Sequence, residues 1–213
     1  MSVTRHSTRR LGAPPRPVPE VASLRADQRE RRDRIVAAAS ALMSAVDYDR
    51  IQVKDVADEA GVALGTLYRY FHSKDHLFAC ALLAWSEGFG ERIERRTSGS
   101  TRDRVAAIYR RAARAFDRDP RVFGALQQVQ ASSDPGAAEV IGTFADQQSA
   151  AFGQALEGYD SPRRDDVLAV MGAVLDGNLR AWQQGRISIA EVHRAIDRAA
   201  ALIFDNPHSL GAR

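Results

Sequence analysis

The stretch Gly61-Val62-Ala63-Leu64-Gly65-Thr66-Leu67-Tyr68-Arg69-Tyr70-Phe71 decides the fold. Leu67 and Phe71 are four residues apart, so they share one face of a helix, with Val62 and Val56 behind them. Gly65, Thr66, Arg69 and Tyr70 cluster on the opposite face, and Tyr68 lies at its edge. Gly61 ends the preceding short helix, because a tight inter-helix turn often needs a positive φ. A short helix anchored by apolar side chains, with small, flat and donor-bearing groups turned outward, fits a DNA major groove. Gly65 lets backbone come close to a base or sugar, and Thr66 offers a hydroxyl and a methyl. The pattern predicts a helix-turn-helix.

Working outward, the periodicity predicts helices over 27–46, 52–60 and 63–70, then a long one capped by Ser73 and running to about Arg95. Asp27 and Glu30 resemble a capping box for the first of these. Further helices are expected near 101–118, 120–131, 135–157, 162–184 and 188–204. Asp119-Pro120, Asp134-Pro135 and Ser161-Pro162 each set a capping residue before a proline, and Ser188 with Glu191 forms a capping box. No segment alternates like a strand. The fold class is all-α, with about nine helices. Its parts are a basic Pro-rich arm at 1–25 expected to be disordered, a DNA-binding domain at 26–75, an effector-binding and dimerisation domain at 76–205, and a tail at 206–213.

Composition narrows the function. The 213 residues are 45% hydrophobic and 27% charged, with a formal net charge of +3. The longest apolar run, Leu77 to Trp85, is far below the ~20 residues of a membrane span, and residues 1–25 lack the apolar middle of a signal peptide. A cytoplasmic protein is expected. A single cysteine, Cys80, excludes an internal disulfide and a Cys-based zinc site. The histidines are scattered, and no metal spacing, nucleophile elbow or phosphate loop is present, so neither an enzyme nor a cofactor protein is expected. The small net charge and the large C-terminal part argue against a non-specific architectural DNA binder, the rival of another class.

The run Val62 to Lys74, preceded by Val53-Lys54-Asp55-Val56-Ala57, closely resembles the signature of TetR-family transcriptional regulators. The resemblance implies a homodimeric, ligand-responsive regulator, expected to be a repressor. It implies double-stranded operator DNA as partner, on a near-palindromic site. It also implies that Gln52, Lys54, Ala63, Leu64, Gly65, Thr66, Tyr68, Tyr70 and Lys74 fall on positions that commonly touch DNA. Leu64 departs from a polar reader. Arg31 and Arg32, beside the basic arm, are further candidates from charge alone. Three segments, Gly61–Leu83, Asp119–Val140 and Asp176–Trp182, partly resemble actinobacterial regulators of cholesterol catabolism of the KstR type. That second resemblance implies a steroid or acyl-CoA effector. A regulator of multidrug efflux answering to flat hydrophobic compounds is the alternative.

Large apolar groups at helical spacing, Trp85, Phe89, Tyr109, Phe116, Phe123, Leu126, Phe144, Phe152, Met171, Leu175 and Trp182, are shared between core and effector site. Gln127, Gln130, Asp176 and Asn178 lie among apolar neighbours; if buried they need hydrogen-bond partners, and the effector is one candidate, which adds them to the candidate effector site. Val167, Val170 and Val174, with Ile189, Val192, Ile196 and Ile203, form stripes suited to a four-helix dimer interface, although packing within one chain must use part of them.

Overall fold

The computed structural model describes residues 21–93 and 99–205, without the side chains of 88–93 and 161–162. Among the described residues there are nine α-helices and no strand: α1 (Ala26–Ala45), α2 (Val53–Glu59), α3 (Leu64–Leu67), α4 (Lys74–Ile93), α5 (Thr101–Arg118), α6 (Pro120–Gln130), α7 (Pro135–Gly153), α8 (Ser161–Gln183) and α9 (Ile189–Phe204). Residues 1–20 of the arm and all of the 206–213 tail lie outside the described residues. The end of the arm differs from expectation: Val21–Ser23 form a 3-10 turn, and Leu24 is buried in the core.

Local chemistry sets the helix ends. Ser73 accepts from the His76 amide at 2.9 Å to start α4. Asp134 accepts from the Ala137 amide at 2.8 Å. Ser188 and Glu191 bond reciprocally at the start of α9, at 3.3 and 2.8 Å. Three expected caps are placed differently. The Gln28 amide oxygen accepts from the Arg25 amide at 3.0 Å, so the box sits nearer the chain start than the expected Asp27–Glu30 pair. Asp160 rather than Ser161 caps α8, accepting from the Arg163 amide. Asp119 precedes Pro120 but spends its carboxylate on the Ser44 hydroxyl at 2.7 Å, which ties the α5–α6 corner to α1.

The short α3 is the main departure. Beyond Leu67 the amides of Tyr70 and Phe71 both turn back to the Leu67 carbonyl, at 2.9 and 3.1 Å, so the chain tightens instead of extending the helix to Tyr70. Gly61 has φ +65°, as its turn requires.

One apolar cluster holds the fold. Ile35, Ala39 and Met43 of α1, Val56 of α2 and Leu67 and Phe71 around α3 are essentially inaccessible, and they join Leu77, Phe78 and Leu82 of α4. The same cluster continues through Val105, Ile108 and Tyr109 of α5 and Val122, Phe123 and Leu126 of α6. The head formed by α1–α3 therefore shares its core with the larger part of the chain, with α4 common to both.

Candidate nucleic-acid interface and effector cavity

The outer face of the head carries most of the candidate DNA contacts. Gln52, Lys54, Ala63, Leu64, Gly65 and Tyr68 are exposed, and Thr66 is half-buried. Leu64 keeps 40% of its surface and Tyr68 47%, unusual for large apolar side chains. A Cβ built on Gly65 meets no atom within 4 Å, so nothing among the described residues occupies the space in front of it.

Two expected contacts are placed elsewhere. Tyr70 is buried and packs beside Phe71, so its ring belongs to the core of the head and not to the outer face. Arg32 turns inward: its guanidinium lies 5.3 Å from the Phe71 ring centre and donates to Cys80 Sγ at 3.4 Å. The arginine lies over the face of the Phe71 ring and shields it from water. Arg31 stays half-buried on α1, and Arg69 is exposed. Lys74 donates to the Tyr48 carbonyl at 2.5 Å and sits 4.1 Å from the Tyr48 ring centre. Burial lowers its pKa, partly offset by Asp49 and Asp75. Its ammonium is thereby positioned at the head's flank.

A polar joint ties the head to the α6–α7 corner. Asp75 accepts from the hydroxyls of both Tyr48 and Ser132. His72 Nε2 stands 3.4 Å from Asp134 Oδ1, and the imidazole fills the space that a side chain at Gly136 would take. His76 stacks on His72 with ring centres 4.2 Å apart, and its buried Nδ1 makes no hydrogen bond among the described residues. Burial, together with His72 and Arg32, pushes the His76 pKa down to about 4, against the pull of Asp134. Asp75 and Ser132 were not singled out in the sequence, since single polar residues at helix ends carry no spacing signal.

The cavity lies between α4, α5, α6, α7 and α8. Its volume is about 200 Å³. Nine expected residues line it: Trp85, Phe116, Phe123, Leu126, Gln130, Phe144, Phe152, Leu175 and Asp176. Ser86, Ala112, Gln148, Gly172 and Leu179 complete the wall. Gln148 falls midway between Phe144 and Phe152 at four-residue steps, so helical spacing alone could have placed it there. The walls are aromatic: Trp85 packs on Phe116 at 5.2 Å, and Phe116 on Phe123 at 5.2 Å.

Other expected lining residues serve the fold. Met171 is fully buried, and Trp182 packs against the core. Tyr109 is buried with its hydroxyl donating to the Leu168 carbonyl at 3.3 Å, behind Phe152. Asn178 donates to the Val174 carbonyl at 2.7 Å, one turn back on its own helix. Gln127 does not line the cavity, and its buried Nε2 makes no hydrogen bond among the described residues. The side chain of Phe89 lies outside the described residues.

The dimer stripe needs the same correction. Val167, Val192 and Ile196 are fully buried within the single chain, and Ile203 is nearly so. The apolar stripe of α9 packs on α5 and α8, and Arg110 of α5 pairs with Asp197 across that contact. Ile189 and Val174 are half-buried. Val170 on α8 and Leu202 on α9 remain exposed, at 48% and 70%.

The family described as "Bacterial regulatory proteins, tetR family" matches residues 35–81, and "Tetracyclin repressor-like, C-terminal domain" matches residues 99–203. The chain is 33% identical to the HTH-type transcriptional repressor KstR of Rhodococcus jostii over 180 residues, 83% of this chain and 84% of that one. It is 32% identical to KstR of Mycobacterium tuberculosis over 206 residues, 92% and 94% of the two chains. The fold is similar to that of a TetR transcriptional regulator from Rhodococcus sp. RHA1, with a TM-score of 0.71, 30% identity, and 85% and 99% of the chains covered. No helix among the described residues is long and apolar enough to cross a membrane.

Proposed function

Because the chain belongs to the tetR family of bacterial regulatory proteins, we propose that it is a repressor that binds a near-palindromic operator as a homodimer and is released by a hydrophobic effector of lipid breakdown, a steroid or an acyl-CoA. The observation that carries this reading is the cavity. Its wall is mostly aromatic and aliphatic, and its few polar groups are Ser86, Gln130, Gln148 and Asp176. Such a lining desolvates a flat or chain-like apolar ligand at little cost and leaves some groups to orient one polar end. The similarity to KstR repressors over most of the chain supports the repressor part of this reading.

Size gives the mechanism. About 200 Å³ is below the ~300–1,000 Å³ of ordinary ligand sites. A steroid-sized effector enters only by moving walls. Trp85 and Ser86 of α4 are such walls, and α4 carries the core of the head on its first turns. Widening the cavity displaces α4, and with it α3. The DNA-bound state must then have the narrower cavity. The effector binds the other state more tightly, and by reciprocity the operator weakens effector binding by the same factor. One recognition helix reads few bases, so two copies are needed, about one DNA turn (~34 Å) apart. The exposed Val170 and Leu202 offer apolar surface for that pairing.

Thermal shift against a panel of steroids, acyl-CoA thioesters, sugars and flat cationic drugs tests the reading. A raised melting temperature with steroid or acyl-CoA supports it. Shifts by the drugs alone would favour a regulator of efflux, which the aromatic walls also suit. A shift by sugars alone would overturn the apolar effector.

A further inference from the structure

Five large apolar side chains are exposed among the described residues, and two of them, Leu64 and Tyr68, lie four apart on one face of the head. Gly65 between them has open space in front of it. The result is an apolar strip on the surface assigned above to DNA. Tyr68 has a hydroxyl to bond with. Leu64 has no hydrogen-bonding atom on its side chain.

A leucine cannot read the donors and acceptors of base edges. In the major groove the apolar feature of a base edge is the thymine 5-methyl group. Water also has no favourable partner on either a leucine or a methyl, so bringing the two together releases it from both. We propose that Leu64 is a specificity-determining residue that selects thymine in each half-site by packing on its 5-methyl group. This rests on the operator-binding reading above and adds a base preference to it. The exposed Ala63 and the half-buried Thr66 flank Leu64 without covering it.

Burying one methyl changes affinity by about fourfold, and two half-sites together by about fifteenfold. The test begins with operator sites enriched by the full-length protein from random duplex DNA. Binding is then compared on the enriched site made with thymine and made with deoxyuridine, which keeps every pairing edge and lacks the methyl. Wild type is expected to lose about fifteenfold on the deoxyuridine site. Leu64→Ala is expected to bind the thymine site more weakly and to differ by at most twofold between the two DNAs. Tyr68→Ala is expected to bind more weakly but to keep the methyl dependence. Any change in duplex stiffness caused by deoxyuridine persists in Leu64→Ala and is thereby subtracted. Leu64 is exposed, so its loss leaves the fold intact, which a thermal melt of the variant checks.

Methyl dependence that is equal in wild type and Leu64→Ala overturns the proposal, as does a wild type indifferent to the methyl. Failure to enrich any site overturns the operator-binding reading itself, and this inference with it.

Discussion

Replacing Gly65 by alanine separates what the fold needs from what DNA needs. Gly65 lies in α3 with a negative φ, and a Cβ there meets nothing within 4 Å. In the free protein the substitution therefore introduces neither strain nor a clash. It removes freedom from the unfolded chain and should stabilise by about 0.4–1 kcal/mol. For a chain of this size that raises the melting temperature by about 1–4 °C. On the operator the new methyl stands where the backbone must approach the groove. An overpacked contact costs about 1 kcal/mol or more, and two half-sites double it, so affinity should fall by about 30-fold. Thermal denaturation and fluorescence polarisation on one preparation read both effects. A stabilised variant with undiminished operator affinity would refute the docking of this face. A destabilised variant would refute the packing around α3.

Gly172 lines the cavity with open space before it, so Gly172→Leu should fill the cavity and abolish the response to effector while operator affinity stays within a few-fold; ligand-induced thermal shift and polarisation distinguish the two. Lys74→Gln should weaken operator binding and make the dependence of log K on log salt shallower by about one per half-site, whereas an unchanged slope would confine Lys74 to its bond with Tyr48. The pKa of His76 is pushed down to about 4 from 6.5, so the neutral ring is favoured in the folded state. Its contribution to stability is complete above pH 6.5 and lost as pH falls toward 4, at less than about 1.4 kcal/mol per pH unit because the ring is partly exposed. Comparing pH-dependent melts of wild type and His76→Gln checks this, and the variant should show the flatter profile in that range.

The fold was legible because it is written in short-range signals. The Asp134 cap before Pro135, the Ser188–Glu191 box and the Gly61 turn each specify a helix end through adjacent residues. The cavity wall was legible in part, since aromatic residues at helical spacing mark a buried face. Spacing cannot say which side of that face meets empty space: Phe116 and Tyr109 lie on the same helix, one at the cavity and one behind it. The α9 stripe shows the same limit. Val192 and Ile196 satisfy their burial within the chain, and a periodic stripe looks alike whether the partner is a neighbour or a second copy. The joint at Asp75, Ser132 and His72 was illegible for another reason. It pairs residues far apart in the chain, Asp75 with Ser132 across 57 positions and His72 with Asp134, and such pairing has no local signature. Arg32 and Tyr70 were misplaced because both are amphipathic, and their long stems and rings found apolar cover inside the head.

The central claim is that a DNA-reading face and an apolar cavity are coupled through α4. Fluorescence polarisation of the purified protein on its own upstream intergenic DNA, in competition with random DNA and with steroids and acyl-CoA thioesters added in turn, tests it most directly. The account predicts tight, salt-dependent, sequence-selective binding that one of these compound classes releases. Selective binding that persists at saturating concentrations of every ligand shown to occupy the cavity would contradict it.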